Sequence, residues 1–182
     1  MKKSFRIAFG GILTAFCVIL ILLGNIPMGE YIGPTFAGIL LAWAVTEMGN
    51  LSALWIYCAA ALLSFILSGN KEPALLFALF FGYFPILRNV LARKLKWRWV
   101  RWTIKIAVFN VSMLVSYLLL IYVFGMPLEE MQGLGKYTAL ILLAGGNILL
   151  LVVDFCIERL NILYRLKWQK RIWKALGIKS EE

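Results

Sequence analysis

Residues 7–23, IAFGGILTAFCVILILL, contain no charged side chain and follow directly on Lys2, Lys3 and Arg6. A helix that crosses a bilayer needs about 20 mostly apolar residues, with a range of roughly 17–25. This stretch meets that length. Basic residues before an apolar run also mark signal peptides. Here no small-x-small pattern closes the run, since Leu22-Leu23-Gly24-Asn25 is a poor cleavage site, and further apolar runs follow. The stretch therefore reads as a retained first membrane helix.

Working outward, apolar runs recur at 35–48, 51–67, 74–91, 103–124 and 136–157. Turn formers separate them. Gly24, Asn25, Pro27, Gly29, Gly33 and Pro34 precede the second run, Gly49-Asn50 ends it, and Ser68-Gly69-Asn70-Lys71-Glu72-Pro73 divides the third from the fourth. Pro85 predicts a kink within the fourth. Residues 93–102 interleave Lys and Arg with Trp97, Trp99 and Trp102, which fits a segment lying among lipid headgroups. In the tail, 158–182, Leu160, Leu163, Tyr164, Trp168, Ile172 and Leu176 recur at near-helical spacing, so it reads as a basic amphipathic helix on the inner membrane surface. The expected fold is all-α: one transmembrane domain, 1–182, of six spanning helices.

Composition supports this. Hydrophobic residues make up 62% of the chain, and mean hydropathy is +0.85. Soluble domains hold roughly 45–50% apolar residues. The net charge is +10, but all of the 19 Lys and Arg except Lys71 and Lys136 lie in three blocks. These are Lys2 to Arg6, Arg88 to Lys105, and Arg159 to Lys179. Six crossings put all three blocks on one side, as the positive-inside rule requires of cytoplasmic segments. Both termini are thus expected in the cytoplasm and the protein in the cell membrane. The blocks do not form one basic soluble face, so nucleic acid is not an expected partner.

Enzyme chemistry finds little footing. There is no His, and Cys17, Cys58 and Cys156 each sit inside an apolar run, away from metal-ligand spacing. Gly133-Leu134-Gly135-Lys136 lacks the earlier glycine and the following Ser or Thr of a phosphate loop. Glu129-Glu130 is similar to the paired glutamates of membrane prenyl-protein proteases, but no arginine follows. No cofactor, no metal and no enzymatic activity are expected.

Charges inside a membrane are costly and tend to be paired or functional. Glu47, Arg88 and Asp154 fall roughly 20–27 Å from the outer ends of their helices at 1.5 Å per residue. With Lys105 they are expected to form a buried charge network in the inner third of the bilayer. It either fastens helices together or relays protons. Nearer the outer side and mid-membrane, Tyr31, Asn70, Glu72, Tyr83, Ser112, Ser116, Tyr117, Thr138 and Asn147 are candidate substrate-binding residues. They either form ordinary interhelical hydrogen bonds or dot an apolar small-molecule site. Gly10-x-x-x-Thr14 and Gly11-x-x-x-Ala15 permit close helix approach, to a helix of this chain or to an external partner.

A chain of this length with six helices, a basic N-terminus and small-x-x-x-small in helix one resembles the substrate-binding S component of energy-coupling-factor (ECF) transporters. The family's motif is Ala-x-x-x-Ala, where this chain has Gly11 and Ala15. Phe80-Phe81-Gly82-Tyr83-Phe84-Pro85-Ile86-Leu87-Arg88 also resembles a stretch in uncharacterised six-helix bacterial membrane proteins. The ECF resemblance implies a vitamin-like solute held in the outer halves of helices four to six under the loop Gly24 to Pro34. It also implies docking on a separate transmembrane coupling protein that carries ATPase subunits. Two other readings stay open: a non-transporting scaffold similar to the rod-shape-determining type, and a proton-coupled transporter using Glu47 and Asp154.

Overall fold

A computed structural model describes residues 3–26, 29–122, 138–164 and 166. The described residues are helical apart from short turns and links, and contain no strand. The helices are α1 (Lys3–Leu22), α2 (Gly29–Met48), α3 (Asn50–Leu67), α4 (Glu72–Leu76), α5 (Phe84–Lys94), α6 (Arg98–Tyr122) and α7 (Thr138–Leu163). A short 3-10 turn, Leu23–Asn25, extends α1, and a π turn, Phe77–Phe81, links α4 to α5.

Three spans are long and apolar enough to cross a membrane: Arg6–Asn25, Asn50–Leu67 and Glu72–Lys94. Their outer faces carry Ile12, Phe16, Ile19, Trp55, Leu62 and Ile66, all exposed. Apolar area of that extent is not tolerated on a monomeric soluble surface but is ordinary against lipid tails.

α2 is the central helix. It packs on α1, α3, α5, α7 and the π turn. Its buried positions include Gly33, Ala37, Gly38, Ala42 and Ala44, small side chains that let neighbours come close. Gly33 lies against the Leu20 carbonyl of α1. A Cβ at Gly38 would stand 2.8 Å from the Phe81 carbonyl oxygen. Cys17, Ile21, Leu41 and Phe77 fill the interior between these helices.

Several boundaries depart from the sequence expectation. α2 starts at Gly29 rather than 35, so Gly33 and Pro34 are helical. Pro34 removes only one hydrogen bond, the one its missing N–H would have made to Glu30, and its ring is buried. The α2–α3 turn is a single residue, Gly49, at φ 83°, a conformation only glycine adopts without strain. The expected headgroup segment 93–102 is no separate element. It divides into the end of α5, the link Leu95 to Trp97 and the first turn of α6. α7 runs past 157 to Leu163, absorbing the start of the expected tail; the loop 125–135 and residues 167–182 lie outside the described residues.

The fourth run breaks just before Pro85. Pro85 has no N–H for the Phe81 carbonyl, and its ring crowds that carbonyl. The chain responds with a π turn in which Gly82 N donates to Phe77 O at 2.7 Å. An α-helical register would have given Gly82 the Ala78 carbonyl instead. Tyr57 Oη donates to that carbonyl at 2.8 Å. Gly82 has no side chain to collide with the Tyr57 ring. Tyr57→Phe is expected to cost about 1–3 kcal/mol by leaving a half-buried carbonyl without its donor. Thermal unfolding in detergent reads this directly, and an unchanged midpoint would show that the hydroxyl is dispensable.

Candidate functional site: a charged cavity at the basic end of the bundle

The two ends of the bundle differ sharply in chemistry. At the end formed by Lys3, Met48 and Lys94, Arg6 Nη2 donates to Met48 O and to Ser52 Oγ, both at 2.7 Å. The first bond covers one of the last carbonyls of α2, which lack helical donors. Asn89 Nδ2 donates to Asn50 Oδ1 at 2.6 Å, and Thr46 Oγ1 to Asn161 Oδ1 at 3.1 Å. These bonds tie α1, α2, α3, α5 and α7 together at one level.

At the same end α2, α5, α6 and α7 enclose a cavity of about 490 Å³. That volume falls within the roughly 300–1,000 Å³ of ligand pockets. Its floor is Asp154, 2% exposed, beside Lys105, 7% exposed. Arg88 Nε lies 2.8 Å from Asp154 Oδ1, and Lys105 Nζ lies 2.8 Å from both carboxylate oxygens. One turn along α7, Glu158 Oε2 stands 3.5 Å from Arg88 Nη2. Arg88 therefore bridges two carboxylates on one face of α7. Lys105 also lies over the Trp102 ring, 4.8 Å from its centroid. A buried carboxylate shared by cations from α5 and α6 cross-links three helices.

Of the expected charge network, Arg88, Lys105 and Asp154 come together and Glu47 does not join them. Glu47 sits beside Tyr164 instead. Thr46 lines the cavity and Glu47 does not, because an α-helix turns by roughly 100° between neighbouring residues. Glu158 was assigned to the tail in sequence, yet it belongs to the network. Its i, i+4 spacing from Asp154 was the available signal.

The opposite end is held by caps. Asn25 Oδ1 accepts from Ser68 Oγ at 3.0 Å and from Asn70 N at 3.4 Å. Asn70 Oδ1 accepts from Glu72 N at 3.0 Å, at the start of α4. Lys71 Nζ covers the Phe65 and Ser68 carbonyls at the end of α3. Tyr31 lies beside Glu72. Nearer the middle, the Tyr83 and Ser112 hydroxyls are 2.8 Å apart, Ser116 Oγ donates to Ser112 O at 2.9 Å, and Asn147 Nδ2 donates to Asn110 Oδ1 at 3.0 Å. The side chains of Tyr117 and Thr138 lie outside the described residues. None of Tyr31, Asn70, Glu72, Tyr83, Ser112, Ser116 or Asn147 lines the charged cavity.

The two small-residue pairs of α1 part company. Gly10 is buried, with Met48 Cε 3.6 Å and Ile56 Cδ1 3.8 Å from where its Cβ would be, and Thr14 Oγ1 donates to Gly10 O at 2.9 Å. Gly11 and Ala15 are exposed, and nothing lies within 4 Å of a Cβ built on Gly11. Among the described residues no group of three or more His, Cys, Asp or Glu could hold a metal ion.

No protein-family model, no curated protein and no solved structure matches this chain. Its class follows from the described residues alone: an all-helical chain with three spans long and apolar enough to cross a bilayer.

Proposed function

We propose that this chain is a small-solute-binding subunit of a membrane importer of the ECF type, working with a separate coupling protein and ATPases. The observation that carries the reading is the exposed face of α1. Gly10 and Thr14 are used inside the chain, whereas Gly11 and Ala15 open a shallow strip toward lipid that no described residue fills. Small residues give their largest return where another helix closes on them. The partner that fits is a transmembrane helix of a coupling protein. The reading includes six spans, both termini in the cytoplasm, and residence in the cell membrane. Support for six comes from the lengths of α2, α6 and α7, which are 20, 25 and 26 residues. The gathering of Arg6, Arg88, Arg93, Lys94, Arg98 and Arg101 at one end supports the orientation.

The proposed solute site lies in the outer half, around Tyr83, Ser112 and Ser116, with Tyr31, Asn70, Glu72, Tyr117, Thr138 and Asn147 as further candidates. A solute there exchanges the Tyr83–Ser112 bond for bonds of its own.

Two tests follow. In a cysteine-free background, a cysteine at the exposed position Gly69, or at Gln132, is expected to react with an impermeant reagent outside whole cells, and one at Trp99 is not. Labelling at Trp99 reverses the orientation. Gly11→Leu with Ala15→Leu is expected to leave folding and solute retention intact while abolishing uptake in cells, because bulk on that face holds the partner helix away. Uptake at the normal rate removes α1 as the docking face.

A further inference from the structure

The charged cavity holds more positive charge than its own carboxylates can absorb. Five cations line it against two acids, which leaves an excess of three. Both acids are already engaged, Asp154 by Arg88 and Lys105, and Glu158 by Arg88. That leaves Arg93, Arg98 and Arg101 around the mouth, with no carboxylate in ion-pair range among the described residues. Arg98 and Arg101 occupy the first turn of α6, where the helix dipole disfavours cations. Like charges gathered at the edge of a low-dielectric bundle repel one another unless an anion sits between them.

We propose that this cavity is a binding site for a phosphate-bearing anion, gripped by Arg98 and Arg101 at the mouth, with Arg93 adjacent. The guanidinium fork matches phosphate oxygens bidentately. The ion pairs on the floor neutralise Arg88 and Lys105, so the positive excess sits on the three arginines above them. The site is deep enough to shelter a headgroup: Lys105 and Asp154 are buried, while Arg93 and Arg98 are exposed. Trp97, at the end of the link, and Trp99, in the first turn of α6, are 75% and 86% exposed, as suits tryptophans that meet headgroups. Two sources share this chemistry: the headgroup of an anionic phospholipid, which basic pockets between spanning helices accommodate, and a soluble phosphate ester from the cytoplasm. The site is distinct from the proposed solute site and does not depend on it.

The test is native mass spectrometry of the delipidated full chain, titrated separately with phosphatidylglycerol, phosphatidylcholine and inorganic pyrophosphate. A lipid site appears as one saturable phosphatidylglycerol, with phosphatidylcholine much weaker. Arg98→Gln with Arg101→Gln is expected to weaken it about tenfold or more, since each removes a charge-assisted bond. Arg159→Gln, at an exposed arginine that lies over the Phe155 ring and outside the cavity, is expected to change nothing. A soluble-ester site shows the same variant pattern for pyrophosphate, with phosphatidylglycerol no better than phosphatidylcholine. Arg93→Gln supplies the same reading should the double variant melt early. The proposal is overturned if neither anion gives a saturable site, or if Arg159→Gln weakens binding as much as the cavity variants do.

Discussion

Asp154→Ala is expected to lower the stability of the protein by about 3–5 kcal/mol, as removal of one partner from a buried ion pair typically does. The cause is not the loss of one attraction. Lys105, 7% exposed, and Arg88 would both be left on the cavity floor with a single acid, Glu158, and that acid reaches Arg88 only at 3.5 Å. Arg88→Leu is expected to do less, because Lys105 still neutralises Asp154 at 2.8 Å. Replacing Arg88, Lys105 and Asp154 together by Met, Met and Leu is expected to recover most of the loss, since a whole buried cluster exchanged for apolar side chains of similar volume is often near neutral. Equilibrium unfolding in mixed detergent orders the three variants. A fully stable Asp154→Ala would mean that water reaches Lys105 and Arg88 freely and that the cluster fastens nothing.

The second large effect is expected at Gly38. Any side chain there meets the Phe81 carbonyl, and the neighbour is backbone, which cannot swing away as a long side chain would. Gly38→Leu is expected to cost at least the roughly 1–3 kcal/mol usual for overpacking a tight core. Gly11→Leu, on the open face of α1, is expected to cost nothing in the same measurement and to gain up to about 1 kcal/mol. The pair separates close packing from helix propensity, because both changes remove a glycine from a helix interior and both gain the same propensity of about 1 kcal/mol. Equal midpoints for the two variants would show that α2 does not pack tightly against the π turn.

Much of the helical layout was legible from apolar length, because a segment facing lipid must bond its own backbone and helices are the economical way to do so. The Asn50 and Leu67 limits of α3 agree with the expected 51–67 within one residue, since Gly49 and Ser68 end the helix chemically. The start of α2 was not legible. Gly33 and Pro34 look like turn residues in isolation, yet Gly33 is needed for contact with α1, and that contact is made only in the folded bundle. Nor was the π turn legible, since the missing N–H of Pro85 can be absorbed by a kink or by a π register, and the choice depends on Tyr57 reaching Ala78 from another helix. At the site, Arg88, Lys105 and Asp154 could be read as partners from their shared depth. Glu47 lies at a similar depth but on a different face of the bundle, and depth alone carries no information about rotation around a helix axis. The cavity itself was hidden because Arg98 and Arg101 read as headgroup residues, and only the short Leu95 to Trp97 link brings them over Asp154.

The most direct test of the proposed function is mass spectrometry of small molecules released from gently purified protein. The account predicts one small solute, not a phospholipid, present at near the molar amount of protein, still retained in Gly11→Leu with Ala15→Leu and lost in Tyr83→Phe with Ser112→Ala. Protein that releases no solute under any gentle condition, while remaining folded, would contradict it and leave the non-transporting scaffold in its place.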